Sequence, residues 1–230
     1  MQILIIVLVL LLSYLIGSIP FGLLVVKAIS GKDVRTVESG RTGGTNAMRA
    51  AGFAAGFFTA ILDILKAATT VWMAEAMVPP IHWVHAIAPI LAVVGHNHSI
   101  FLIHRDEYGR TRFRGGAGGA AALGGAFGLW PPAALIILPV GFLIWYLGGF
   151  ASLTTLSIGL MAIVIFSTRA LMGFAPWVDV FYGIAVEVLM ILALLPNLKR
   201  LAAGTERRHG LPAQLEKRRL ARQQDKQKPD

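Results

Sequence analysis

The sequence predicts an all-α, polytopic integral membrane protein, and its composition is the first observation behind this fold class. Hydrophobic residues make up 56% of the 230 and charged residues only 14%, and the mean hydropathy is +0.68. A soluble domain carries about 25% charged residues, because water must wet its surface. Much of this chain's surface must therefore face lipid.

The second observation is a series of seven apolar stretches, separated by basic or turn-forming residues. They cover residues 3–26, 53–78, 83–103, 115–130, 133–147, 151–166 and 178–195. A transmembrane helix needs roughly 20 residues, so we expect about seven transmembrane helices in one bundle, or five if the short central pair is re-entrant. The first stretch lacks a preceding basic region, which favours a retained span over a signal peptide.

The third observation is the placement of the basic residues. Five Lys and Arg lie in 27–49, four in 105–114 and ten after Leu198. With an odd number of spans these three segments share one side, and the positive-inside rule makes that side cytoplasmic and the N-terminus external. Topology thus explains the net charge of +9, and nucleic acid is not an expected partner. We expect a bundle over 1–208 and a mobile, basic cytoplasmic tail over 209–230, close to anionic headgroups.

Two charged residues, Asp63 and Lys66, lie inside the second stretch and share one helix face at a spacing of three. Charges at membrane depth are costly and usually face a partner, a bundle interior or water. Two interpretations stay open at this stage. The pair fixes helix packing, or it braces a polar site at the cytoplasmic mouth of the bundle.

The first basic segment contains a candidate anion-binding loop over residues 39–49, SGRTGGTNAMR. Glycines let backbone N–H groups converge on an oxyanion, and Arg41 and Arg49 could neutralise phosphate charge. A flexible polar loop would explain any one of these residues. Nine polar or glycine positions in eleven favour an anion site instead. The loop is not a Walker A motif, since no Gly-Lys-Ser/Thr ends it.

The second basic segment ends in a Gly/Ala run that begins at Arg114. Small residues entering a membrane permit close helix contact, which explains Gly118 onward. For residues 114–118 there are two interpretations: close helix packing, or a second turn that binds a phosphate. Just upstream, His96 and His98 are two residues apart and do not share a helix face. We therefore expect one histidine in a polar site and no zinc pair.

The chemistry of a protein nucleophile is not apparent in this sequence. It has no cysteine, no Ser/His/Asp spacing, no HExxH, and not the aspartate pattern of the CDP-alcohol phosphotransferases. No metal or organic cofactor is expected. An enzyme built from these residues would work by positioning and electrostatic stabilisation. A transporter is the other class considered, and the lack of an internal repeat disfavours it.

Several motifs, taken in order, resemble the PlsY family, the bacterial acyl-phosphate:glycerol-3-phosphate acyltransferases. The matching stretches are 14–22 (YLIGSIPFG), 39–49 (SGRTGGTNAMR), 63–66 (DILK), 95–96 (GH), 113–118 (FRGGAG) and 197–201 (NLKRL), with Gly204 and Glu206. The resemblance extends to about Arg208. It implies a seven-helix bundle in the bacterial cell membrane, with its site on the cytoplasmic side.

The activity implied by the resemblance is acyl transfer from a fatty acyl phosphate to the 1-hydroxyl of glycerol-3-phosphate. The products are lysophosphatidic acid and phosphate, in the first step of phospholipid synthesis. An acyl phosphate is already activated, so no acyl-enzyme is required. Membrane lipids are further partners, and other enzymes of phospholipid synthesis are candidate partners.

The resemblance also implies roles for individual residues. The residues expected to be catalytic are Ser39, Arg49, His96, Arg114 and Asn197. The residues expected to bind substrate are Gly40, Arg41, Gly43, Gly44, Thr45, Asn46, Gly115, Gly116, Gly118 and Ser152. Asp63, Lys66 and Arg200 are expected to support the site.

This chain departs from the family pattern at several positions. Arg41 replaces an Asn, Gly44 an Ala, Ala117 the Lys of a GGKG motif, Leu194 a His and Ser99 a Pro, and residues 104–111 are an insertion. Ala117 and Leu194 favour, as the alternative function, a divergent paralogue that binds acyl phosphate or a phosphorylated acceptor with little turnover, or uses a different acceptor. Our hypothesis for the missing lysine is that Arg41 supplies a replacement cation.

Overall fold

The computed structural model describes residues 1–225, and these residues are mainly helical. The described α-helices, labelled α1 to α10 in chain order, are Gln2–Ser18, Phe21–Ser30, Gly44–Ala51, Phe53–Met77, His82–Asn97, Gly119–Leu129, Pro132–Gly148, Ala151–Leu171, Val178–Ala202 and Gly210–Asp225. A short 3-10 turn covers Val34–Thr36 in the first basic segment.

Four helical segments within the described residues are long and apolar enough to cross a membrane. They are Gln2–Ser30, Phe53–Met77, Ala151–Leu171 and Val178–Ala202. The first of them comprises α1 and α2, which are separated at Pro20. Two shorter apolar helices, α6 and α7, account for the central pair of stretches. The prediction of a helical membrane protein is therefore confirmed, while the number of seven spans stays a prediction.

The all-α prediction misses one element, an antiparallel hairpin between α5 and α6. Its strands are β1 (Ser99–Arg105) and β2 (Thr111–Arg114). The third apolar stretch is therefore helical only as far as Asn97. The turn forms because the Asp106 carboxylate accepts backbone N–H bonds from Tyr108 and Arg110, at 3.0 and 2.9 Å. The inserted residues 104–111 supply this turn.

Small residues bring the helix backbones close together in the bundle interior. A Cβ added at Gly124 of α6 would overlap the Ile64 carbonyl of α4, and one at Gly17 of α1 would overlap Ala92 of α5. Such contacts are how helices pack where the hydrophobic effect gives no preference for protein over lipid. The close-packing interpretation of the Gly/Ala run beyond Gly118 is confirmed.

The three basic segments meet at one end of the bundle. The first contacts the second where Thr42 N donates to Gly115 O at 3.2 Å. It contacts the third where Arg49 Nη2 lies 2.7 Å from His209 Nε2. The charge distribution predicted this shared end. Beyond it, α10 packs against α7, so residues 210–225 of the predicted tail are helical, and residues 226–230 lie outside the described residues.

Candidate functional site

A cavity of about 490 Å³ opens where the first basic segment, the hairpin and the end of α9 meet. We call it the basic cavity. Its lining residues are Arg35, Thr36, Glu38, Ser39, Gly40, Arg41, Asn97, His98, Phe113, Arg114, Gly115, Gly116 and Ala193. Both sequence segments predicted to cradle an anion contribute to this lining, although more than 60 residues separate them in the chain.

Six residues expected at the site lie in this lining. They are Ser39, Gly40, Arg41, Arg114, Gly115 and Gly116. Gly40 has a positive φ of 66°, and a Cβ there would approach the Arg35 carbonyl oxygen at 3.1 Å. A glycine suits this position because other residues seldom adopt a positive φ.

The basic cavity contains two arginines with no carboxylate partner. Arg35 forms an ion pair with Asp33. Among the described residues, no carboxylate oxygen lies within 4.0 Å of the Arg41 or Arg114 guanidinium. Two cations without a carboxylate partner make this cavity suited to a phosphorylated ligand.

Arg41 is held in place from α9. Its Nη2 donates to the backbone carbonyl of Ala193. Burial lowers the pKa of Arg41, and the neighbouring Arg200 cation lowers it further. A guanidinium nevertheless stays charged, because its ordinary pKa exceeds 12. Arg41 therefore presents a fixed cation with further N–H donors to a ligand in the basic cavity.

Behind the cavity lies a buried group that we call the inner polar cluster, formed by Asp63, Lys66 and His96. Lys66 Nζ lies 2.7 Å from Asp63 Oδ1 and 3.0 Å from His96 Nδ1. It also donates to the carbonyl of Ile19 at 2.9 Å, where α1 ends before Pro20. The cluster thus ties α1, α4 and α5 together, as the packing interpretation of the Asp63–Lys66 pair required.

The inner polar cluster also supports the wall of the basic cavity. Gly116 N donates to the His96 carbonyl at 2.9 Å. A Cβ at Gly116 would overlap the His96 ring, and one at Gly115 would overlap the carbonyls of His96 and Asn97. Only glycines let the chain pass this close to α5. His96 thus links the inner polar cluster to the wall of the basic cavity, and the bracing of a site by Asp63 and Lys66 stays a prediction.

His96 itself lies behind this glycine wall and does not line the basic cavity. The histidine in the lining is His98, at the junction of α5 and β1. The sequence contains no signal that would distinguish them, because the bend after Asn97 decides which ring faces the opening.

Three polar residues meet at a second group near the ends of α8 and α9. Ser152 Oγ donates to Glu206 Oε2 at 2.7 Å, and Asn197 Nδ2 lies 3.3 Å from Glu206 Oε1. Ser152 and Asn197 were expected at the site, whereas Glu206 had no assigned role. None of the three lines the basic cavity. The Glu206 charge is close enough to affect the pKa of both Arg41 and Arg49.

The remaining candidates shape the first basic segment or lie beside it. Asn46 is buried and its Nδ2 donates to the carbonyls of Val34, Val37 and Arg41, so it fixes the loop. Gly44 packs against Gly56 and Ala60 of α4. The others outside the lining are Gly43, Thr45, Arg49, Gly118 and Arg200.

Arg49, expected to be the main phosphate charge, is bonded to His209 and lies outside the lining. Burial lowers the pKa of Arg49, and the nearby Glu38 carboxylate opposes this effect. Contacts link Arg49 to the lining through the C-terminal segment: its partner His209 is two residues from Arg207, which pairs with Glu38 of the lining, so Arg49 lies near the rim of the cavity. His209 is a functional candidate that sequence reasoning missed, because it is 160 residues away from Arg49.

The described residues contain no group of three or more His, Cys, Asp or Glu side chains placed to hold a metal ion.

Comparison with known proteins gives a consistent result. Residues 7–204 match a family described as glycerol-3-phosphate acyltransferase. A glycerol-3-phosphate acyltransferase of Thermus thermophilus is 37% identical over 205 residues, covering 87% of this chain and 94% of that protein. One from Rubrobacter xylanophilus is 37% identical over 206 residues, covering 89% and 95% respectively.

Two solved structures are similar to this chain. The first is the glycerol 3-phosphate form of PlsY (YgiH), an integral membrane glycerol 3-phosphate acyltransferase. It has a TM-score of 0.76 and 31% identity, and the match covers 91% of this chain and 98% of that chain. The second is the lysophosphatidic acid form, with a TM-score of 0.73 and 29% identity over 89% and 95% of the two chains.

Proposed function

This chain belongs to the glycerol-3-phosphate acyltransferase family, and we propose that it transfers a fatty acyl group from an acyl phosphate to the 1-hydroxyl of glycerol-3-phosphate. The hydroxyl oxygen attacks the acyl carbonyl carbon, the bond from that carbon to the phosphate oxygen breaks, and the hydroxyl proton leaves with the phosphate. The products are lysophosphatidic acid and inorganic phosphate. Since the acyl group arrives activated, the protein needs to supply position and charge but no nucleophile.

The observation that carries this proposal is the pair of unneutralised arginines in the basic cavity. Both substrates carry a phosphate, and the attack adds charge to the carbonyl and phosphate oxygens. Arg41 and Arg114 would hold and stabilise these oxygens. Removal of one such donor typically costs about 10²–10³ in rate.

Arg41 takes the role of the cation that the family pattern places at position 117. Ala117 has no charge and does not line the basic cavity, whereas the anchored guanidinium of Arg41 does. Arg49 would contribute charge from the rim. Ser152, Asn197 and Glu206 would lie on the acceptor side, where a hydroxyl-bearing ligand finds both donors and acceptors.

The proposed topology has seven spans with the N-terminus outside and the basic cavity on the cytoplasmic side of the bacterial cell membrane. The basic segments that surround the cavity are those that the positive-inside rule places in the cytoplasm. A cavity at the cytoplasmic surface of the membrane would receive glycerol-3-phosphate from water and the acyl chain from the bilayer.

Acceptor specificity tests the proposal. The purified protein in lipid nanodiscs would receive palmitoyl phosphate together with glycerol-3-phosphate, glycerol or water alone, and mass spectrometry would identify acylated products. We expect lysophosphatidic acid from glycerol-3-phosphate and little product from glycerol. Equal acylation of glycerol would contradict a site built for two phosphates. Acylation of a different phosphorylated acceptor would favour the divergent paralogue.

A further inference from the structure

Residues 206–209, which we call the C-terminal clasp, follow the family match that ends at residue 204, and Glu206 is among the positions that resemble the family motifs. Each of these four consecutive side chains contacts a different part of the protein around the site. Glu206 bonds Ser152 and Asn197, Arg207 pairs with Glu38, Arg208 lies over the Phe150 ring, and His209 contacts Arg49. These contacts place the residues that follow α9 around the proposed site.

His209 is the most firmly held residue of the C-terminal clasp. Its backbone N donates to Gly149 O at 2.7 Å. Its ring stacks on the indole of Trp145, with centroids 6.5 Å apart and planes at 19°. Gly149 has a φ of 78°, and a Cβ there would approach the His209 carbonyl oxygen at 2.9 Å. The imidazole is therefore fixed before any ligand arrives.

The contact with Arg49 determines the protonation state of this ring. Arg49 Nη2 lies 2.7 Å from His209 Nε2. A guanidinium has donors and no acceptor, so Nε2 must offer its lone pair and the proton must be on Nδ1. His209 is thus neutral, and its Nε2 fixes the orientation of the Arg49 guanidinium by accepting a hydrogen bond from Nη2. The Nε–H of Arg49 is buried and has no hydrogen-bond partner among the described residues.

We propose that His209 is a positioning residue that holds Arg49 at the rim of the basic cavity for binding the phosphate of the acyl donor. This role rests on the proposed function, since it names Arg49 as a phosphate-binding cation. His209 itself contacts no substrate atom in this account.

The same contact makes phosphate binding sensitive to acid. The charged groups around His209 are Arg49, Arg207, Glu206 and Glu38. Burial lowers the pKa of His209, and the cations of Arg49 and Arg207 lower it further, while the two carboxylates oppose them. His209 is therefore neutral near pH 7. As the pH falls through its pKa, Nε2 gains a proton, the bond from Arg49 is lost and the two cations repel each other.

Binding and turnover measured on matched variants test this role. His209→Ala removes the acceptor, whereas His209→Gln keeps an oxygen acceptor that does not titrate. His82→Ala and His82→Gln are the controls, since His82 is an exposed residue at the start of α5. The ligand is the phosphonate analogue of palmitoyl phosphate, whose affinity can be measured without turnover.

We expect the Kd of His209→Ala for this analogue to rise about tenfold at about pH 7.5, the size of one charge-assisted hydrogen bond. His209→Gln should stay within about threefold of wild type at this pH. As the pH is lowered stepwise over the range in which both proteins stay folded, the Kd of wild type should rise more than that of His209→Gln. Ionisation of the analogue is common to both proteins, so the ratio of their affinities isolates His209.

Unchanged affinity in His209→Ala, or parallel pH profiles for wild type and His209→Gln, would overturn the positioning role. If His209→Ala does not fold, the pH dependence of the Kd in wild type and in His209→Gln tests the positioning role instead. Turnover with palmitoyl phosphate and glycerol-3-phosphate is measured separately. A wild type that binds the analogue in a His209-dependent way but forms no lysophosphatidic acid would contradict the proposed function and leave the positioning role standing.

Discussion

The inner polar cluster and the basic cavity are neighbours at one end of the bundle, yet they treat charge in opposite ways. In the cluster, Lys66 pairs with Asp63, and the two side chains are 3% and 1% exposed. In the basic cavity, Arg41 and Arg114 have no carboxylate partner among the described residues. Charge that is sealed inside the bundle is neutralised, and charge that faces an opening is left for a ligand. The first arrangement favours stability and the second favours binding.

The largest expected effect comes from breaking the inner polar cluster. Asp63→Asn leaves the buried Lys66 cation without its partner, so we expect a loss of about 3–5 kcal/mol in the free energy of unfolding. Unfolding of the purified protein by increasing denaturing detergent measures it. The double variant Asp63→Asn, Lys66→Met removes both charges and should recover much of the loss. A single variant as stable as wild type would show that the pair does not hold the helices.

The next prediction concerns a change in the basic cavity alone, which should lower the rate of turnover and leave the free energy of unfolding unchanged. Arg41→Asn removes one unneutralised cation, and we expect the rate of lysophosphatidic acid formation to fall by about 10²–10³. Adding Ala117→Lys should restore part of this loss, since a lysine would return to the position where the family pattern has it. The rate is measured with palmitoyl phosphate and glycerol-3-phosphate.

The matched control is Arg110→Gln, at the exposed turn of the hairpin. It should leave the rate unchanged. An Arg41→Asn variant that is as active as the control would mean that Arg41 does not replace the missing lysine.

The smallest of the three effects lies where the two regions touch. A Cβ at Gly116 would overlap the His96 ring, so Gly116→Ala must displace either the ring or the cavity wall. We expect a loss of stability of about 1–3 kcal/mol, as for other overpacked interiors, together with reduced turnover. Gly141→Ala in α7 is the control, because a Cβ there meets nothing within 4 Å. Equal behaviour of the two variants would show that the cluster and the cavity are not coupled.

The sequence predicted much of this arrangement, because lipid imposes strong constraints. The membrane class followed from composition, and the shared end of the basic segments followed from the positive-inside rule. The anion-binding loops were predicted because glycine and arginine have a distinctive role beside phosphate. Membership of the family is confirmed over residues 7–204, whereas the roles of the site residues stay predictions.

The rest depended on contacts that the sequence does not encode locally. Arg49 was expected in the phosphate pocket, and its bond to His209 joins residues 160 positions apart. The hairpin was read as part of a helix because its first strand is as apolar as the end of α5. His96 and His98 could be told apart only once the bend after Asn97 was known. Each of these depends on how distant segments meet and not on residue type.

Phosphate release from palmitoyl phosphate by the wild-type protein in lipid, with and without glycerol-3-phosphate, is the measurement on which the proposed function depends. We expect release that requires glycerol-3-phosphate, with an equal amount of lysophosphatidic acid, despite Ala117. No release from wild type, together with a gain of release in Ala117→Lys, would contradict it. That result would mean that the basic cavity binds phosphate but Arg41 does not supply the charge that the reaction needs.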